Sequence, residues 1–106
     1  MLPFNIASYA LLAHIIGKLT NMVPKALIGD LSNVHLYENS WEASRELIKR
    51  DPTKFELPKL GIMDHLDNFV SDDINNFINA LRIQDFKLLD YESYDNIKVA
   101  MLAPNK

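Results

Sequence analysis

Between Ile6 and Leu19 the chain carries almost nothing polar: Ser8, His14 and Lys18 are the clear exceptions, and Tyr9 is amphipathic. The pattern predicts a helix from about Phe4 to Leu19. A helix apolar nearly all the way round belongs inside a protein, with other elements packed about it. Pro3 suits the entry turn, where its missing N–H costs nothing. Thr20-Asn21 ends the helix and Val23-Pro24 begins a turn. The longest apolar run, Ala10 to Ile16, is interrupted by His14 and is too short to span a bilayer. The expectation is therefore a buried central helix in an α/β (α+β) fold, and no membrane partner.

Asn5 sits where the chain enters that helix. A carboxamide offers both a donor and an acceptor, and in a buried setting both need partners. Asn5 either caps its own helix or meets a ligand, and the pattern leaves both open.

At 106 residues the chain is read as a single domain over 1–106. A hydrophobic content of 48% belongs to a folded chain. Net charge is −3 and the Lys and Arg residues are scattered, which speaks against a nucleic-acid partner. Met1 is not followed by a basic stretch or a small-residue cleavage site, so the expectation is a cytoplasmic protein without a signal peptide. There is no cysteine in the sequence. Disulfides, thiolate metal sites and cysteine nucleophilic catalysis by these residues are thereby excluded.

After the first helix, Ala26–Tyr37 reads as strand in its second half. Val34 and Leu36 fall on one face; Asn33, His35 and Tyr37 fall on the other. That second face presents an amide, an imidazole and a phenol. It is a solvent-facing edge or a cleft wall, where rings with one polar tip are at home; His35 also has the option of a core histidine satisfied by backbone. His14, His35 and His65 show no metal-ligand spacing, so no metal is expected. Asn39 with Glu42 has the arrangement of a capping box and opens a second helix. Trp41, Ser44, Leu47 and Ile48 share one face of it, Glu46 and Arg50 are spaced to pair outside, and Asp51-Pro52 stops it. Pro58–Met63 is a short strand and Asp64–Val70 a loop. Ser71-Asp72-Asp73 starts a third helix, amphipathic through Ile74, Phe77, Ile78 and Leu81. Phe86–Tyr91 is a strand, a turn follows near Asp95-Asn96, and Ile97–Ala103 is extended. Three short strands and two amphipathic helices form a mixed sheet but cover the first helix poorly, so an isolated chain should expose apolar surface.

Leu2-Pro3-Phe4-Asn5-Ile6-Ala7-Ser8-Tyr9-Ala10-Leu11-Leu12 resembles the segment that follows the catalytic region of thymidylate synthases. Three further stretches resemble the family in the same order. Ser32-Asn33-Val34-His35-Leu36-Tyr37 stands where the family has Gly-Asp-x-His-x-Tyr, with His35 and Tyr37 matching. Arg50-Asp51-Pro52 with Leu57-Pro58-Lys59-Leu60 resembles its Arg-Asp/Glu-Pro … Pro-Lys-Leu segment. Asp85–Tyr91 and Ile97-Lys98 resemble its late strand and C-terminal approach.

The resemblance implies the C-terminal portion of the thymidylate synthase fold, whose reaction is reductive methylation of dUMP to dTMP with 5,10-methylenetetrahydrofolate. It implies that Asn5 reads the uracil edge, that His35 and Tyr37 bind the deoxyribose 3′-hydroxyl, that Phe4 lies near the folate, and that Leu102 belongs to a tail closing over the ligands. The departures are as specific. The family's cysteine nucleophile and its phosphate-binding arginines belong to a region expected before Leu2. Pro104-Asn105-Lys106 runs on past the matching terminus. The chain alone is expected to hold no catalytic residue and to be inactive, with a homodimer or an N-terminal half as partner. The alternatives are a non-enzymatic half of a split enzyme and a deoxycytidylate-hydroxymethylating relative, against which the amide of Asn5 argues because an acid there would suit cytosine.

Overall fold

The computed structural model describes residues 2–63 and 73–99. The first helix, α1, spans Leu2–Thr20. Its C-terminus is built by local chemistry. Asn21 takes a left-handed φ of 55°, and the Met22 amide donates back to the Gly17 carbonyl at 2.8 Å. This is the six-to-one bond of a Schellman cap. Pro24 then forbids any continuation. The Thr20 hydroxyl also donates to the Ile16 carbonyl, at 2.8 Å.

The expectation of a buried central helix is not met in this chain by itself. Gly17 is the one buried residue of α1, while Phe4 is 75% exposed and Tyr9, Leu12 and Ile16 are open as well. The reason is one of supply: the other described helices have nine and seven residues, and the two strands four each. Elements of that size cannot sheathe an all-round apolar helix of 19 residues. With a mean hydropathy of 1.2, α1 is long and apolar enough to cross a membrane by length and composition. The run Ala10–Ile16, with His14 inside it, gave too short a measure of it. Core helices of soluble proteins pass the same test.

Contacts divide the chain into two units, Met1–Asp30 with Leu60–Leu89 and Leu31–Lys59 with Asp90–Lys106. In the first, strand β1 (Lys59–Ile62) pairs with strand β2 (Phe86–Leu89) in a two-stranded sheet. The Met63 amide bonds the Asp85 carbonyl at 2.9 Å, and Gly61 lies beside the Lys87 carbonyl. One register number rises as the other falls, so the strands run antiparallel. Asp90, with a left-handed φ of 58°, ends β2.

Helix α3 (Ile74–Ala80) lies in the same unit and buries Phe77 almost completely, at 1% exposure. Ile74 and Ile78, expected beside Phe77 on the packed face, are about half exposed. Asp73 precedes α3 without capping its backbone; its carboxylate accepts from the side-chain Nδ2 of Asn76 at 2.9 Å. The remainder of the expected acidic start, Ser71 and Asp72, and the loop Asp64–Val70 lie outside the described residues.

In the second unit a short 3-10 turn, Glu38–Ser40, leads into helix α2, Trp41–Lys49. The cap position falls on Ser40, one residue beyond the expected Asn39, and the Ser40 side chain makes no capping bond. Asn39 is taken up in the preceding 3-10 turn. The helix ends at Arg50, which is already extended at φ −75° and ψ 141°. The expected strand at Asn33–Tyr37 is absent. The segment has no partner in the described sheet, and a strand exists only through its ladder. The described fold is thus mixed helix with a small two-stranded sheet, compatible with α/β.

Candidate functional site

His35 and Tyr37 are brought together by the extended backbone between them, which sends side chains two residues apart to one side. Their ring centroids are 5.5 Å apart with planes tilted by 46°. The His35 Nδ1 lies 3.2 Å from the carbonyl oxygen of Asn33. A carbonyl oxygen only accepts, so Nδ1 carries the proton in this contact, and in the neutral ring Nε2 is left as an acceptor. Both rings are exposed. The pair therefore offers a ring nitrogen that takes a proton bond beside a phenol that gives or takes one, the equipment for holding a hydroxyl group.

Leu36 points the other way. With Trp41, Ser44, Arg45 and Ile48 it lines an open hollow of about 320 Å³ along α2. The alternation expected across this segment therefore holds for His35, Leu36 and Tyr37 even though no ladder forms.

Asn5 and Phe4 lie in the first turns of α1, in the first unit, and both are exposed. Since α1 already runs from Leu2, Asn5 is inside the helix and is not its cap. That removes the self-capping alternative and leaves its amide open at the surface. His35 and Tyr37 belong to the second unit. Leu102 lies outside the described residues.

A second cluster was not singled out by sequence. The Tyr94 hydroxyl donates to the Asp51 carbonyl at 3.1 Å. Phe55 meets the Tyr94 ring edge-on, centroids 5.1 Å apart at 73°. The Arg50 guanidinium carbon is 5.2 Å from the Tyr94 centroid, and the Lys54 ammonium is 4.8 Å from it. Arg50, expected to pair with Glu46, turns to this ring instead. Next to it, Asp51 Oδ1 accepts from the Thr53 hydroxyl at 2.6 Å and from the Thr53 amide at 2.9 Å. Those two bonds, the hydroxyl's first, hold the Asp51 carboxyl below its ordinary value. Among the described residues no group of three or more His, Asp or Glu side chains is placed to hold a metal ion.

The sequence matches the thymidylate synthase family model over residues 1–103. It is 38% identical over 101 residues to the thymidylate synthase of Enterobacteria phage T4, covering 94% of this chain and 35% of that protein. It is 37% identical over 99 residues to the thymidylate synthase of Saccharomyces cerevisiae, covering 93% of this chain and 29% of that protein. The chain belongs to the thymidylate synthase family. It spans about a third of the length of these curated relatives. No solved structure matches it significantly.

Proposed function

We propose that this chain supplies the nucleoside-reading part of a thymidylate synthase, a transferase of nucleotide biosynthesis that methylates dUMP to dTMP. The His35–Tyr37 pair carries the reading. With Nδ1 tied to the Asn33 carbonyl, Nε2 accepts from the 3′-hydroxyl of the deoxyribose, and the Tyr37 phenol supplies a donor to the same oxygen. Asn5 reads uracil: its carbonyl takes the N3 proton and its NH₂ group gives one to O4. An acid in that place would suit cytosine, and for that reason uracil is preferred over a hydroxymethylated cytosine product.

5,10-Methylenetetrahydrofolate supplies the carbon and the hydride of the reaction. Phe4, exposed in the first turn of α1, offers a flat apolar face for its ring system, a fit of shape and polarity, and Leu102 is assigned to the same ligand. The family's nucleophile at C6 of the pyrimidine is a cysteine, and none of these residues is one. The chain binds and orients; covalent activation of C6 comes from a thiolate outside it. The test is release of tritium from C5 of labelled dUMP in the presence of the folate. The 106-residue chain by itself should release none, and turnover by it would overturn this assignment.

A second reading, the non-enzymatic half of a split enzyme, is favoured by one observation, the open apolar side chains of α1. In that reading the chain works only with a second copy or with an N-terminal half. Size-exclusion chromatography decides: a dimer or a complex with the other half supports it, and a well-behaved monomer speaks against it. A cytoplasmic location goes with either reading.

A further inference from the structure

One side chain, Tyr94, ties residues 90–99 to the turn after α2 through a hydrogen bond, a ring contact and two cations. Tyr94 gives its hydroxyl proton to the Asp51 carbonyl, meets Phe55 edge-on, and has the cations of Arg50 and Lys54 over its ring. The segment 91–99 has no regular secondary structure, so no ladder or helix holds it in course. Lys54 also lies 5.1 Å from the Phe55 centroid, so the two aromatic rings share one ammonium. The nearby Asp51 carboxylate is occupied by Thr53. Both cations are thus held by ring faces. A cation over a ring is attracted by the ring's quadrupole.

We propose that Tyr94 is a positioning residue, a latch that fixes the course of residues 90–99 against the Arg50–Phe55 turn. Two kinds of contact share the work. The ring is the larger part, because it meets three neighbours at once; the hydroxyl adds a single bond to backbone and sets the depth at which the ring sits. The latch stands on contacts inside one unit of the fold and does not depend on the assignment of dUMP or folate.

The test is nuclear magnetic resonance of the 106-residue chain with three variants. In the unaltered protein, amide order parameters at 92–97 should be near 0.85, the value of a rigid backbone, and Tyr94→Leu should drop them below about 0.6. Tyr94→Phe keeps the ring and should stay close to the unaltered protein. The Lys54 ε-methylene protons should be shifted upfield by the Tyr94 and Phe55 rings, and should move part of the way back in Tyr94→Leu but not in Tyr94→Phe. Arg50→Met with Lys54→Met keeps the ring and removes both cations, and should loosen the segment partway. If Tyr94→Leu does not fold, Tyr94→Phe and the double variant still decide, because the latch requires a loss in the second that exceeds any loss in the first. Order parameters at 92–97 that are unchanged in Tyr94→Leu, or low in the unaltered protein, overturn the proposal.

Discussion

The Met22 amide reaches back 2.8 Å to the carbonyl of Gly17, and this bond folds the chain so closely over α1 that no side chain fits beneath it. A Cβ on Gly17 would stand 2.7 Å from the Met22 carbonyl oxygen and 3.1 Å from Cδ of Pro24. Gly17→Ala should therefore destabilise the protein. Overpacking against backbone costs about 1–3 kcal/mol, which exceeds the roughly 1 kcal/mol of helix propensity that alanine gains over glycine. Gly29 provides the contrast, with nothing within 4 Å of its would-be Cβ. Gly29→Ala should be neutral or stabilise by up to about 1 kcal/mol through the unfolded chain. Urea unfolding of the two variants checks both signs, and a stabilised Gly17→Ala would refute the close-approach account.

Asp85 should be the polar residue whose loss is felt most in the first unit. It is 5% exposed, and its carboxylate accepts from the Arg82 amide at 2.8 Å. Its own amide donates to the Arg82 carbonyl at 3.0 Å, and its carbonyl extends the β1–β2 pairing to Met63. Asp85→Ala leaves a partly buried amide without that acceptor and should cost about 1–3 kcal/mol. Asp85→Asn keeps an oxygen in place and should recover a good part of it. Equal losses in the two variants, measured by thermal unfolding, would mean that the acceptor is not what matters there.

How much of this was legible in the sequence depended on whether the cause was local. The end of α1 was, because Asn21 and Pro24 act on their own neighbours. So were α2, β1 and β2 to within a residue or two. The facing of His35 and Tyr37 was legible too, since alternation follows from an extended backbone. That Asn33–Tyr37 forms no strand was not, because the partner that makes a ladder is not encoded in the run itself. The cap position moved from Asn39 to Ser40 because a small local element, the 3-10 turn at Glu38–Ser40, takes in Asn39. The buried state of α1 was read from its own polarity, whereas burial depends on how much other chain is there to cover it. Tyr94 escaped notice because its hydroxyl partner lies 43 residues away.

Acid titration should find the Asp51 carboxyl below its ordinary range. Its bonds from the Thr53 hydroxyl and then the Thr53 amide place its folded pKa below the ordinary 3.8. Such a group adds stability above its unfolded pKa and loses that contribution as pH falls through the lower, folded value. The window therefore lies below pH 3.8. Thr53→Val removes the hydroxyl, the larger cause, and should move the Asp51 carboxyl back up toward 3.8, while Thr53→Ser should not. Carbon-detected titration of the Asp51 side-chain carboxyl follows this directly. An Asp51 that titrates identically in Thr53→Val would show that the hydroxyl bond is not formed in solution.

The hydroxyl-reading role of His35 and Tyr37 has a sharper test than loss of binding, because a variant can weaken binding for many reasons. Tyr37→Phe keeps the ring 5.5 Å from His35 and removes only the phenol oxygen. One neutral hydrogen bond contributes about 0.5–1.5 kcal/mol, so dUMP affinity should fall roughly 2- to 12-fold. A 2′,3′-dideoxy analogue, which lacks the 3′-hydroxyl, should already be weaker for the unaltered protein and should lose nothing more in Tyr37→Phe. His35→Ala should show the same non-additivity, since Nε2 is assigned to the same hydroxyl, and it should also free the Asn33 carbonyl now in contact with Nδ1. Chemical-shift titration with the two ligands gives the four affinities of each cycle. If the dideoxy analogue and dUMP suffer equally from Tyr37→Phe, the phenol touches some other part of the nucleotide and the sugar assignment is wrong.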